Sequence, residues 1–212
     1  MVDSEKFYEA LSQGKMDEAK RLTQEALDAG ESAAKVLKDG LIAAMDRIGV
    51  KFKNGELYIP EVLIAARAMH AGMAILKPIL AKSEGVMAGK VVIGTVKGDL
   101  HDIGKNLVGL MLEGAGFQVK DLGSDVTPEK YVEAVRESGA NLVAMSALLT
   151  TTMGSMKGVI EALQASGVRP QVKVMIGGAP VTQQYANEIG ADGYSDNASG
   201  AVTLARKMLG VK

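Results

Sequence analysis

The sequence contains no cysteine, so disulfides and thiolate metal ligands are excluded outright. It has only two histidines, His70 and His101. It carries no basic surplus: 24 Lys and Arg stand against 25 Asp and Glu, and the formal net charge of −1 leaves nucleic acid no electrostatic footprint. It lacks an uninterrupted apolar run of about 18 residues, so no membrane span is expected. Met1-Val2-Asp3-Ser4-Glu5-Lys6 is not followed by an apolar segment of the secretory type, which makes the cytoplasm the default location. What is plentiful is apolar side chain, at 47% of residues, and glycine, 25 of 212. That content supports a buried core, and the length suits one large domain or two small ones.

The first 82 residues follow a helical pattern. After a short helix over 4–11, Met16, Ala19, Leu22, Ala26 and Leu27 form an apolar stripe, closed by Gly30 at the C′ position. Val36, Leu37, Leu41, Ala44, Met45 and Ile48 form a second stripe, and Asn54-Gly55 marks a turn. Pro60 then opens a helix in which Val62, Ala66, Met69, Met73 and Leu76 recur at bundle spacing. A small four-helix bundle over 1–82 is expected, then a linker over 83–89 with two glycines. His70, on the last helix, reads as a surface or packing residue.

From residue 90 to 212 strand and helix alternate, with strands near 90–95, 117–121, 141–146 and 172–176 and a short fifth near 193–194. Alternation of this kind means a parallel sheet covered on both faces, and five strands suit a flavodoxin-like, Rossmann-like order. Three strands finish in small or polar residues. The first leads into Gly98-Asp99-Leu100-His101-Asp102-Ile103-Gly104, the third into Ser146-Ala147-Leu148-Leu149-Thr150-Thr151-Thr152, the fourth into Gly177-Gly178. Parallel strands carry their C-terminal ends to one edge, where ligands bind. An imidazole can ligate a metal through one nitrogen while the other donates to a carboxylate such as Asp99. From the residues alone each piece also has a structural reading, as a loop, a helix cap or a turn.

Taken together, Asp99-Leu100-His101-Asp102-Ile103-Gly104, Ser146-Ala147-Leu148 and Gly177-Gly178 resemble the signature of cobalamin-binding domains of the base-off/His-on type. The longer phrase Gly94–Asn106 is similar to the corrinoid proteins of anaerobic methyltransferase systems and to the cobalamin module of methionine synthase. The resemblance implies that cobalamin, or a related corrinoid, binds with its lower base detached and His101 on cobalt. The detached base would lie in a slot floored by Gly177-Gly178, with Ser146 hydrogen-bonding a base nitrogen and Leu148 packing beside it. Thr150 would contact the tail or the corrin amides. Asp99 would accept from the second imidazole nitrogen, with Thr152 continuing that relay where methionine synthase has a serine. Leu100, Asp102, Ile103 and Gly104 complete the cofactor loop.

The same resemblance implies that the bundle shields the upper corrin face. Tyr58 and Ile59, just before Pro60, are the residues expected to reach the cofactor, whereas Val62 and Met69 read as bundle core. The implied function is a methyl carrier with little turnover of its own. It would take a methyl group from a substrate-specific methyltransferase and pass it to a second methyltransferase acting on tetrahydrofolate or coenzyme M, with a reductive activator in support. Rival readings are an adenosylcobalamin mutase subunit, a cobalamin-dependent sensor, and a flavin or nucleotide electron carrier. The first needs no bundle cap, the second needs an output module, and the third has no use for His101.

Overall fold

The computed structural model describes residues 2–80 and 88–211. The chain divides into two compact units, the break falling between residues 87 and 88, with Glu113–Gly116 grouped with the first.

The first unit is helical. α1 (Ser4–Ser12) starts where the Asp3 carboxylate accepts the Lys6 amide, satisfying one of the donors that a helix N-terminus leaves free. α2 (Met16–Asp28) buries Ala19, Leu22 and Ala26, and Gly30 follows with φ +82°, the left-handed stop expected there. α3 (Ala33–Lys35) continues into a π-helical stretch, Val36–Ile42, and then into α4 (Ala43–Lys53). The apolar stripe foretold the helix but not its widened turn. That turn contains Gly40, whose missing Cβ would stand 3.0 Å from the Phe7 ring, so α1 packs directly on its backbone.

α5 (Ile59–Leu80) is the core helix of this unit, with Val62, Ala65, Ala66, Met69 and Leu76 buried. Pro60 sits in its first turn, where no N–H is required. The Glu61 carboxylate accepts the Tyr58 amide at 2.7 Å just ahead of the helix. Among the described helices α5 is the one long and apolar enough to cross a membrane, with a mean hydropathy of 1.4 over its most apolar window. Its buried face explains that composition within the bundle.

The second unit runs β1 (Gly89–Thr95), α6 (Ile103–Gly114), β2 (Phe117–Asp121), α7 (Pro128–Ser138), β3 (Leu142–Ser146), α8 (Gly154–Ala165), β4 (Lys173–Gly177), α9 (Gln183–Ile189), β5 (Gly193–Tyr194) and α10 (Ala198–Leu209). Residues 83–87 of the expected linker lie outside the described residues, and Gly89 is the first residue of β1. All strands are parallel, in the order β2-β1-β3-β4-β5. This is the flavodoxin-like order, and the direction of winding reverses between β1 and β3. Val92, Val143 and Val174 share a core with Tyr131 and Val135 of α7 and Met156, Val159 and Ile160 of α8. The register is informative for function: Thr95 pairs with Ser146, and Ser146 with Gly177. The ends of β1, β3 and β4 therefore form one lateral row.

Candidate functional site

The loop between β1 and α6 leaves the sheet at the switch point and turns back at once, the Asp99 amide donating to Val96 O at 3.1 Å. This turn drives the Asp99 side chain inward, where it is fully buried. One carboxylate oxygen, Oδ1, accepts the His101 amide at 3.1 Å and meets the His101 ring at Nδ1, 2.8 Å away. The other, Oδ2, accepts the Leu148 amide and the Thr152 hydroxyl, each at 2.7 Å, and the Leu149 amide at 3.3 Å. Burial alone would raise the Asp99 pKa. The hydrogen bonds from the Leu148 amide, the Thr152 hydroxyl and the His101 ring and amide outweigh it and hold the carboxyl well below its ordinary range.

An ionised Asp99 only accepts, so His101 Nδ1 is the donor in this contact and Nε2 is the ring nitrogen left outside it. Among the described residues nothing hydrogen-bonds Nε2, and the side chain is 52% exposed. Thr95, buried at the end of β1, donates its hydroxyl to His101 O at 2.9 Å and fixes the backbone behind the ring. Thr152 Oγ1 also lies 2.9 Å from Leu149 O, but its single proton favours the charged acceptor. The relay His101–Asp99–Thr152 is thus assembled with threonine in the third position, and the extra methyl has room beside Gly98.

Around the free imidazole edge the chain leaves apolar groups uncovered. Leu100 is 73% and Ile103 75% exposed, and Leu148 and Leu149 are also exposed. Gly104, second residue of α6, has nothing within 4 Å of where a Cβ would stand and an ordinary φ, so the chain's own packing does not require glycine there. The Ser146 hydroxyl makes no hydrogen bond among the described residues. Asp102 and Thr150 are exposed at the surface, and Asp102 O starts α6 by accepting the Asn106 amide at 2.7 Å. A flat, largely apolar group bearing a metal and a hydrogen-bonding tail fits these residues: an open imidazole nitrogen, bare leucine and isoleucine, a glycine with clear space and an idle hydroxyl.

Gly177 and Gly178 have a second reason to be glycine. A Cβ on Gly178 would lie 1.9 Å from Ala147 O, and its φ is +132°; one on Gly177 would lie 2.9 Å from Ser195 O. Backbone contact among the loops after β3, β4 and β5 therefore requires glycine at both positions, and at Gly178 a positive φ does as well. Tyr58 and Ile59 belong to the first unit, exposed at the start of α5, and the cluster around His101 is built wholly from the second unit. Val62 and Met69 are buried, as bundle core. A cleft of about 450 Å³ lined by Arg136, Asn141 and Gln171 lies at the N-terminal edge of the sheet, away from this cluster. The sequence reading missed the Leu148 and Leu149 amides and the Thr95 hydroxyl. Backbone donors leave no residue-type signal, and a threonine at a strand end is unremarkable in sequence.

Fold and site define a flavodoxin-like domain that leaves one imidazole exposed at the switch point of its sheet. A family model described as "B12 binding domain" matches residues 89–203, and a second of the same description matches residues 4–77. The chain is 44% identical over 205 residues to a corrinoid protein of Desulfitobacterium hafniense (strain Y51), covering 95% of each. It is 46% identical over 177 residues to the dimethylamine corrinoid protein of Methanosarcina barkeri, covering 83% of each. Its fold matches a chain of the methanol:cobalamin methyltransferase complex MtaBC from Methanosarcina barkeri with a TM-score of 0.87 and 28% identity, over 98% of this chain and 79% of that one. The chain belongs to the B12-binding corrinoid proteins of methyltransferase systems, and its cofactor is cobalamin or a related corrinoid.

Proposed function

We propose that this corrinoid protein is a methyl carrier that binds its cofactor base-off/His-on, with His101 as the lower ligand of cobalt. The observation that carries this reading is the Asp99–His101 pair, which leaves Nε2 as the one ring nitrogen free to bind a metal. The bound corrinoid supplies the cobalt to which a methyl group is attached and from which it is passed on. His101 would offer the Nε2 lone pair to the cobalt of the bound corrinoid. Asp99 would hold the ring through the Nδ1 proton and balance positive charge on the imidazole. Asp99 does not take that proton itself, because the hydrogen bonds converging on it favour the anion. The chain thus sets the ligand field and leaves the organic chemistry to the cofactor and its partners.

The remaining residues take the roles that their positions support. Leu100, Ile103, Gly104 and Leu148 meet the corrin or its tail, Asp102 and Thr150 reach polar groups at its rim, and Ser146 hydrogen-bonds the detached base beside Gly177 and Gly178. Tyr58 and Ile59 cover the other corrin face. The partners are a substrate-specific methyltransferase, a second methyltransferase acting on tetrahydrofolate or coenzyme M, and a reductive activator, all in the cytoplasm. The likeness to a chain of a methyltransferase complex supports the first of these. A carrier touches only the methyl group, so the choice of donor rests with the methyltransferase.

The test is reconstitution. Protein loaded with methylcobalamin should show corrinoid absorbance bands, turn over slowly alone, and release methyl to an acceptor once a partner methyltransferase is added. Retention of adenosylcobalamin in preference to methylcobalamin, or no transfer with any methylamine or methanol methyltransferase, would contradict the reading.

A further inference from the structure

The loop that carries His101 is irregular from Val96 to Asp102, yet its backbone is gripped at several points. Besides its internal turn its geometry is held from outside, because Leu100 and the imidazole are exposed and bury little of their own to fix it. The grip comes from the segment that leaves β2. Asp125 Oδ1 accepts the Gly98 amide at 2.8 Å, and the Asp125 amide donates to Asp99 O at 3.0 Å. One residue therefore accepts a hydrogen bond from the Gly98 amide and donates one to the Asp99 carbonyl, on either side of the residue that orients His101. Val96 and Val126 form a parallel bridge immediately alongside.

Asp125 stands in the left-handed region at φ +55°, the one non-glycine residue to do so among the described residues. In this conformation its amide and its carboxylate both face the Gly98–Asp99 segment, and aspartate and asparagine tolerate it better than other side chains. The same segment is anchored on its near side. Asp121, the last residue of β2, pairs with the buried Lys105 of α6, and its Oδ1 accepts the Gly123 amide at 2.8 Å. Lys105 lies in the first turn of the helix that follows the His101 loop. The exit of β2 thus holds that loop from both flanks.

We propose that Asp125 is a positioning residue for cobalt ligation: it sets the Gly98–Asp99 backbone and, through Asp99, the direction of His101 Nε2. The proposal rests on His101 being the lower ligand. No ligand contact is required of Asp125, and its effect passes through the loop. Loss of its carboxylate frees the Gly98 amide and loosens the peptide that carries Asp99.

The test uses the full-length protein in apo and corrinoid-loaded forms. Asp125→Gly keeps the left-handed backbone and deletes only the acceptor, so the fold survives. Asp125→Asn keeps both the backbone preference and an acceptor oxygen. In the apoprotein, hydrogen exchange at the Gly98 amide should accelerate in Asp125→Gly and stay near wild type in Asp125→Asn. In the loaded Co(II) form, the histidine-bound population should fall about 10-fold relative to the unligated form in Asp125→Gly, the effect typical of groups that orient a metal ligand, and recover in Asp125→Asn. Unchanged histidine hyperfine coupling in Asp125→Gly would overturn the proposal, as would an Asp125→Asn variant as impaired as the glycine. If wild type itself shows no histidine coupling, the ligand assignment fails and the proposal falls with it. Coupling in wild type that persists in Asp125→Gly sinks the positioning role alone.

Discussion

His101 meets Asp99 through Nδ1 at 2.8 Å, and the far oxygen of the same carboxylate takes the Leu148 amide and the Thr152 hydroxyl. One buried anion therefore ties the loop after β1 to the loop after β3, across the point where the sheet reverses its winding. The imidazole is locked in one tautomer by a group that both loops position.

Asp99→Asn removes the charge and turns an amide NH2 towards donors that need an acceptor. Buried donors left unpaired cost about 1–3 kcal/mol of stability, and histidine binding to cobalt should weaken about 10-fold. The pH dependence has a definite sign. The folded Asp99 pKa lies below the ordinary 3.8, so its stabilisation is complete above that value and is lost progressively as pH falls beneath it. Denaturant titrations of the apoproteins should show the gap between wild type and Asp99→Asn at neutral pH shrinking below about pH 4.

Two glycines should behave in opposite ways. Gly178→Ala forces a Cβ to within 1.9 Å of Ala147 O at a φ of +132°. Strain and overpacking together should cost about 3 kcal/mol or more in the apoprotein. Gly104→Ala meets open space in a helix. It should leave apoprotein stability unchanged or raise it by up to about 1 kcal/mol, yet reduce corrinoid loading if, as proposed, the cofactor occupies that space. Thermal melts of the apoproteins and absorbance of the reconstituted forms separate the two effects. Full loading of Gly104→Ala would remove Gly104 from the site.

Thr152→Val keeps the shape and deletes the hydroxyl that Asp99 accepts. A loss of about 1–3 kcal/mol is expected. Thr152→Ser should stay within about 1 kcal/mol of wild type, since it keeps the donor and loses only a methyl. Chemical denaturation measures both, and a larger loss in Thr152→Ser than in Thr152→Val would mean that the methyl, not the hydroxyl, is what matters.

Most of the fold was legible because its signals are periodic. The strand runs at Val91–Thr95, Leu142–Ser146 and Val174–Ile176 are buried on both faces and so appear as continuous apolar stretches. His101 was legible because an imidazole after a strand, two residues from a carboxylate, is a chemical pattern. The amides of Leu148 and Leu149 were not, because any residue type supplies one. The π turn at Val36–Ile42 escaped because the apolar stripe survives an extra residue per turn. The Gly178 constraint escaped because its cause is Ala147 O, some thirty residues away in sequence and adjacent only once β3 and β4 pair. Asp125 escaped because an aspartate in a loop has no pattern until its φ is known.

Tyr58, at 70% exposure, has little to lose in stability, and Tyr58→Ala should stay within about 0.5 kcal/mol of wild type. If it covers the corrin, the loaded variant should oxidise faster in its reduced form, read by stopped-flow absorbance. Equal oxidation rates would assign the exposed tyrosine another role.

The central claim is that His101 is the lower ligand of the bound corrinoid. With only His70 and His101 in the chain, histidine-specific isotope labelling is nearly site-specific. Electron paramagnetic resonance of the loaded Co(II) form should show nitrogen splitting that changes from triplets to doublets when histidine carries ¹⁵N. The change should persist in His70→Gln, and the histidine splitting should vanish in His101→Ala. A splitting indifferent to histidine labelling would assign the lower ligand to the corrinoid's own base and contradict the account.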